Sequence, residues 1–166
     1  MKINIASVLR NDGASKPFSG QIQLGNVQFM GSNIDFYQPL DIEGRVQNMG
    51  GTIEITAHIS GSYRVDCSRC SVTVEENIDA DLFESVESDF SDADEECVTV
   101  SGTVIDISGS IEACIFSNVP MQFLCKEDCR GLCPKCGINL NEKECNCEDE
   151  VYDPRFAIFR NLSKEV

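Results

Sequence analysis

The sequence predicts an α+β fold: a mainly antiparallel β domain, a sheet or an open barrel, with one or two helices and a cysteine-rich segment after it. Three observations predict it. Alternating or β-branched stretches recur up to residue 105 with glycine- and asparagine-rich turns between them; one helical period follows; and six of the ten cysteines crowd between Cys125 and Cys147. A chain of 166 residues, 42% of them apolar, is long enough for one cored domain and a small appendage.

In chain order, residues 3–9, 41–47, 52–65, 72–78 and 97–105 read as strands, and the Asn48, Met49, Gly50, Gly51 run between the second and third reads as a hairpin turn. Ile107, Ile111, Cys114 and Ile115 follow the i, i+4, i+7, i+8 spacing of one helix face. They predict a helix over about 107–118, capped by Asp106 or Ser108 and stopped before Pro120. Asp153-Pro154 opens a second short helix, with proline in the tolerated first turn and Phe156, Phe159 and Leu162 to pack back. The expected division is a β-rich domain over 1–124 and a cysteine-bearing segment with its short helix over 125–166.

Thirteen basic residues against 28 acidic ones give a net charge of −15, which opposes broad attraction to nucleic acid or anionic lipid. Contact with RNA must then be local or helped by another protein. The acids are concentrated: residues 75–96 hold 11 acids and no base, and are expected to be a loop facing water, with a docking surface for a basic protein as the functional reading. No apolar run approaches the roughly 20 residues of a membrane span and no signal-peptide stretch precedes Asn11 and Asp12, so a soluble, cytoplasmic protein without membrane contact is expected.

Eight of the cysteines form four close pairs: Cys67 and Cys70, Cys125 and Cys129, Cys133 and Cys136, Cys145 and Cys147. Crowding of this kind favours a metal over a scattered disulfide framework, and four pairs make two tetrahedral sites. Zinc suits thiolates, being borderline-soft and indifferent to geometry, so two structural zinc ions per chain are expected. Cys133, Cys136, Cys145 and Cys147 form a local unit of short loop closure. Cys67, Cys70, Cys125 and Cys129 then make the other site, tying the β domain to the tail. The rival arrangement has Cys67 and Cys70 meet Cys133 and Cys136 as the two knuckles of a zinc ribbon. Redox or disulfide chemistry is the competing use of the same thiols.

A catalytic metal is disfavoured, because the chain owns one histidine, His58, whose place in an alternating strand makes it a solvent-facing residue. Cys97 and Cys114 stand alone, the latter as a small core residue of the helix. Cations gather around the cysteines: Arg69 lies between the first pair, and Lys126, Arg130, Lys135, Lys143, Arg155 and Arg160 lie among or after the others. They suit a small phosphate-contacting face, and equally suit offsetting the charge of eight thiolates on two zinc ions. No nucleophile–base pair, phosphate-cradling glycine loop or general acid–base constellation is legible, so no enzymatic activity is expected.

Several of these residues together resemble the YceD family of large ribosomal RNA subunit accumulation proteins, in the form with an extended cysteine cluster. They are Cys67-Ser-Arg69-Cys70 after a strand, a helix ending at Val119-Pro120, and Cys129-Arg-Gly131-Leu132-Cys133-Pro134-Lys-Cys136-Gly137-Ile-Asn139-Leu140-Asn141 followed by Cys145-Asn-Cys147. Asp153-Pro154-Arg155-Phe156-Ala157 completes the set. The likeness covers roughly residues 40–162, with Arg130 where the family usually has lysine. It implies a non-enzymatic ribosome biogenesis factor supporting accumulation or processing of the large-subunit (23S) ribosomal RNA, with the rRNA precursor or a ribosomal protein as partner. A zinc-dependent adaptor that binds basic ribosomal proteins through its acidic segment and a thiol redox protein remain the alternatives.

Overall fold

A computed structural model describes residues 1–87 and 98–147. Its elements are β1 (Lys2–Asn4), α1 (Ala6–Leu9), β2 (Ser15–Ile22), β3 (Gly25–Phe29), β4 (Ser32–Phe36), β5 (Leu40–Asn48), β6 (Thr52–Asp66), β7 (Thr73–Glu87), β8 (Thr99–Ser101), β9 (Val104–Asp106) and α2 (Ser108–Asn118). The fold is an open, antiparallel β structure with two helices, and the cysteine-rich segment follows it. No helix among the described residues is long and apolar enough to cross a membrane.

Strand β6 is the spine. Along one edge it pairs with β5, from Asn48↔Ile53 to Asp41↔Ser60, and then with β4 at Ile34↔Val65; along the other it pairs with β7 over its whole length, from Thr52↔Glu87 to Asp66↔Thr73. Strands β2 and β3 close the two ends, giving the order β2-β5-β6-β4-β3, and β1, β9 and β8 form a separate three-stranded sheet. Side-chain alternation fixes which face is dry: Ile53, Ile55, Ala57, Ile59, Tyr63 and Val65 of β6 are buried while Thr56, His58 and Arg64 are exposed. Ile78, Ala80, Leu82 and Val86 of β7 continue that face, and Ile107, Ile111 and Ile115 cover it from the helix. Each valine, leucine or isoleucine among them contributes about 1.5–3 kcal/mol by leaving water.

The pairing corrects part of the expected acidic loop. From Glu75 to Glu87 the chain is strand, because its apolar residues alternate in register with β6, so Glu75, Asp79, Asp81 and Glu87 are exposed along the strand. Residues 88–96 and Cys97 lie outside the described residues. Two expected strands are also divided. Residues 3–9 hold β1 and then one helical turn, begun where Asn4 Oδ1 accepts the Ala6 N–H at 3.0 Å. Residues 99–106 fold back on themselves at Gly102, whose φ of +62° suits a tight turn between β8 and β9.

The sequence does not single out β2, β3 or β4, which the structure adds. Pro17 is tolerated within β2 because that strand is at the sheet's edge, where a missing N–H costs no ladder bond. Helix α2 begins after Ile107, which offers no side-chain cap; Asp106 holds the turn instead, its Oδ1 accepting the Ser108 N–H at 3.0 Å and the Ser108 hydroxyl at 2.6 Å. The helix expected at Asp153-Pro154 lies outside the described residues.

Candidate metal centre

Strand β6 ends at Asp66, and the chain turns through Cys67 and Cys70 before returning as β7. The Cys67 N–H donates to the Val72 carbonyl at 2.9 Å and the Ser71 N–H to the Cys67 carbonyl at 2.9 Å, with Ser71 itself left-handed at φ +55°. After α2 the chain runs back to this turn. The Ser68 N–H donates to the Phe123 carbonyl at 2.8 Å, and the buried Phe123 ring meets Tyr63 edge-on at 6.1 Å. Two residues later Cys125 arrives beside the first pair.

The eight thiols gather as two sets of four. Cys67, Cys70, Cys125 and Cys129 form one, Cys133, Cys136, Cys145 and Cys147 the other, and within each set all sulfurs lie within 4.8 Å of one another. The sulfurs are separated by 3.8 Å for Cys67–Cys129, 3.5 Å for Cys70–Cys125 and 3.5 Å for Cys133–Cys145. A tetrahedral ion bonded to sulfur at about 2.3 Å spaces its ligands at about 3.8 Å, so both sets fit such an ion. Each set can hold a metal ion.

The electrostatics have the same sense. Burial opposes the Cys67 thiolate, but N–H groups of Cys125, Arg69 and Cys70 aimed at its sulfur bring its pKa down to about 6. Its neighbour Cys125 is pushed up to about 12, first by its hydrogen bond with Cys70 and then by burial. In the second set the N–H groups of Cys136 and Lys135 draw Cys133 down to about 6, while the hydrogen bond with Cys136 pushes Cys147 up to about 12. Four thiolates at this spacing repel one another, and a divalent cation is what lets all four ionise together.

Of the expected cations, the Arg69 guanidinium turns inward to donate to the Cys129 carbonyl at 3.0 Å, and Lys126 pairs with Asp128 at 3.7 Å. Arg130, which follows Cys129 of the first set, and Lys135 and Lys143, which lie between cysteines of the second, are exposed. Arg155 and Arg160 lie outside the described residues. His58 is exposed on β6 and bonded to Asp81 at 2.9 Å, away from the cysteines in sequence and paired across to β7. Cys114 lies on α2, half-buried against the core.

Two residues carry more than sequence reasoning assigned them. Asn141 Nδ2 donates to the Cys129 sulfur at 3.3 Å, and Asn139 Oδ1 accepts both the N–H and the Nδ2 of Asn141, at 3.0 and 2.9 Å. The available signal was an asparagine pair two residues apart just after Gly137, since asparagine side chains bond to the backbone of their own turn.

The family described as "Large ribosomal RNA subunit accumulation protein YceD" matches residues 55–163, a span that includes both cysteine sets. The Mycobacterium tuberculosis protein Rv2926c is 26% identical over 123 residues, covering 71% of this chain and 59% of its own length. Bacillus subtilis YlbN is 24% identical over 168 residues, covering 99% and 98%. The chloroplastic Arabidopsis thaliana protein named large ribosomal RNA subunit accumulation protein YCED homolog 1 is 34% identical over 62 residues, 37% of this chain and 19% of its own. This chain thus spans 59% of the length of the mycobacterial relatives it matches. No solved structure matches.

Proposed function

Since the chain belongs to the YceD family, we propose that it is a non-enzymatic assembly factor supporting accumulation of the large-subunit (23S) ribosomal RNA in the cytoplasm, with one structural zinc ion in each cysteine set. The observation that carries the structural reading is closure. Four sulfurs fill the coordination of a tetrahedral ion and leave no position for water or substrate, which is the arrangement of structural rather than catalytic zinc. Zinc held by Cys67, Cys70, Cys125 and Cys129, and by Cys133, Cys136, Cys145 and Cys147, would supply folding free energy and neutralise half the thiolate charge.

Charge and the family support the choice of partner. A molecule of net charge −15 gains little from long-range attraction to RNA, so contact with rRNA precursor would depend on the exposed Arg130, Lys135 and Lys143 of the cysteine-rich segment. Removing the protein from cells should lower large-subunit relative to small-subunit rRNA, and the tagged protein should sediment with immature large particles. Unchanged rRNA ratios together with no particle association would sink this reading.

A second reading has its own observation. Glu75, Asp79, Asp81 and Glu87 are exposed along one strand, with Glu43 of β5 near His58 on the same sheet. That supports an adaptor that engages a basic ribosomal protein instead of RNA. Thiol redox chemistry predicts free thiols and no bound metal in protein isolated under reducing conditions, with disulfides once an oxidant replaces the reductant, an outcome metal analysis distinguishes.

A further inference from the structure

The two cysteine sets are not independent neighbours in the chain. The segment between Cys136 and Cys145, which must fold for the second set to assemble, also carries Asn141, and the Asn141 amide reaches back to the first set. Its Nδ2 donates to the buried Cys129 sulfur at 3.3 Å while its Oδ1 accepts the Arg130 N–H at 2.9 Å. The remaining Nδ2 hydrogen goes to Asn139 Oδ1 at 2.9 Å, so every polar atom of the amide has a partner, and only this orientation of oxygen and nitrogen gives each donor an acceptor.

The backbone repeats the connection. Leu132 pairs with Asn139, the Leu140 N–H donates to the Gly131 carbonyl at 2.9 Å, and the Leu132 N–H donates to the Arg69 carbonyl at 3.0 Å. The turn of the first pair, the turn of Cys129 and the loop of the second set are therefore one hydrogen-bonded unit.

We propose that Asn141 couples the two sites: carried by the loop of the second set, it stabilises a ligand sulfur of the first, so that metal in one set strengthens binding in the other. The proposal rests on both sets holding metal, as above. A donor to a metal-bound sulfur withdraws charge from it and fixes its direction, and loss of such an outer-shell partner costs about 10–100-fold in metal affinity. Coupling between two sites is reciprocal, so the same factor applies in each direction.

The test uses the full chain, stripped of metal and reduced, titrated with Co2+ and followed by its thiolate-to-cobalt charge-transfer absorption. Four forms are compared: wild type, Asn141→Asp, Cys145→Ser with Cys147→Ser, and all three changes together. Asn141→Asp keeps size and the acceptor for the Arg130 N–H but loses both Nδ2 donations, to the Cys129 sulfur and to Asn139, so the energy of the thiolate band, which reports charge on the sulfur, separates the sulfur contact from the loop's own bond.

We expect the first set's cobalt affinity to fall about tenfold in Asn141→Asp, at the lower end of outer-shell effects, with its band moved to lower energy as the sulfur regains charge. The double serine form should weaken the first set similarly, and adding Asn141→Asp to it should cost little more. Unchanged affinity and band in Asn141→Asp would overturn the coupling, and so would losses that multiply in the combined form. A wild-type chain with no thiolate–cobalt band would overturn it together with the metal reading, whereas a wild type that fills both sets alongside an unaffected Asn141→Asp removes the coupling alone.

Discussion

The α-carbon of Gly131 lies against the carbonyl of Arg69. Gly131 has φ +75°, a β-carbon there would come to 3.0 Å from the Arg69 oxygen, and that oxygen already accepts the Leu132 N–H. The close approach is what lets the Cys129 turn lie on the Cys67 turn. Gly131→Ala should cost about 1–2 kcal/mol from the left-handed backbone alone, lowering the melting temperature by about 2–8 °C. Zinc content should stay at two while a competing chelator extracts the first ion faster. A calorimetric scan with a timed chelator assay checks both.

Phe123 joins the core to the first cysteine set. Its ring is buried against Tyr63, which in turn meets Phe36 at 5.5 Å, and its backbone is bonded to Ser68 in both directions, at 2.8 and 3.2 Å. Phe123→Ala should destabilise by about 3–5 kcal/mol, as large-to-small core changes do. Because Cys125 is only two residues on, loss of zinc from the first set should accompany the loss of stability. Urea unfolding with metal analysis of the eluted protein measures the two together.

Asp106 predicts a pH dependence. The Ser108 hydroxyl, the Met1 amino group and the Ser108 N–H all donate to its carboxylate and hold its pKa well below the usual carboxylate range. The folded state therefore binds the proton less readily than the unfolded chain. The stabilisation is fully present above the unfolded pKa of about 3.9 and is lost as pH falls below it. Asp106→Asn removes this dependence, so the stability difference between wild type and variant should be constant above about pH 5 and shrink towards pH 3. Comparing the two proteins at each pH cancels the acid sensitivity of the thiols, which both share.

These residues also separate what was legible in the sequence from what was not. The strands at 41–47 and 52–65 and the helical period at Ile107, Ile111 and Ile115 stand out because burial on one face forces the alternation, and the structure has β5, β6 and α2 there. Strand β7 was equally periodic through Ile78, Ala80, Leu82 and Val86, but the acids between them looked like a solvated loop. Composition and parity point opposite ways there, and the acids from Glu75 to Glu87 are the wet face of a strand. Strands β2 to β4 are hidden by Pro17 and Gly20 and by turns whose geometry sequence does not display; the β3–β4 turn has Gly31 at φ +85° but Met30, where asparagine or aspartate would complete the hairpin signal, at φ +48°. The thiols were legible because spacing limits which sulfurs can meet. The asparagines around them were not, since a side chain that bonds to sulfur across a loop has no period.

Metal content is the most direct check on the centre itself. Protein isolated under reducing conditions should contain two zinc ions per chain, and Cys67→Ser with Cys70→Ser should remove one. Chelation should also lower stability, because a site that forms only on folding contributes its binding free energy to the fold. Mass spectrometry of the intact protein together with elemental analysis decides between this and four disulfides with no metal.

The last prediction concerns what the protein touches. Arg130 and Lys135 are exposed beside the ligand cysteines and contribute no sulfur, so reversing both to glutamate should leave two zinc ions in place. If they contact phosphate, the reversal should weaken association with immature large particles and reduce its salt dependence, each lost contact lowering the slope by about one. The acidic strand offers the opposite experiment. Asp79→Asn with Asp81→Asn changes exposed side chains on β7 and the exposed pairing with His58, leaves the alternating core residues untouched, and should alter particle association only if a basic ribosomal protein docks there. Both variants are measured by sedimentation of tagged protein from cells at two salt concentrations. Loss of particle association in Arg130→Glu, Lys135→Glu with retention in Asp79→Asn, Asp81→Asn supports direct RNA contact. The reverse pattern removes that mode of binding and leaves the adaptor, because a surface that is acidic along a whole strand can recruit a basic protein without any cation meeting RNA.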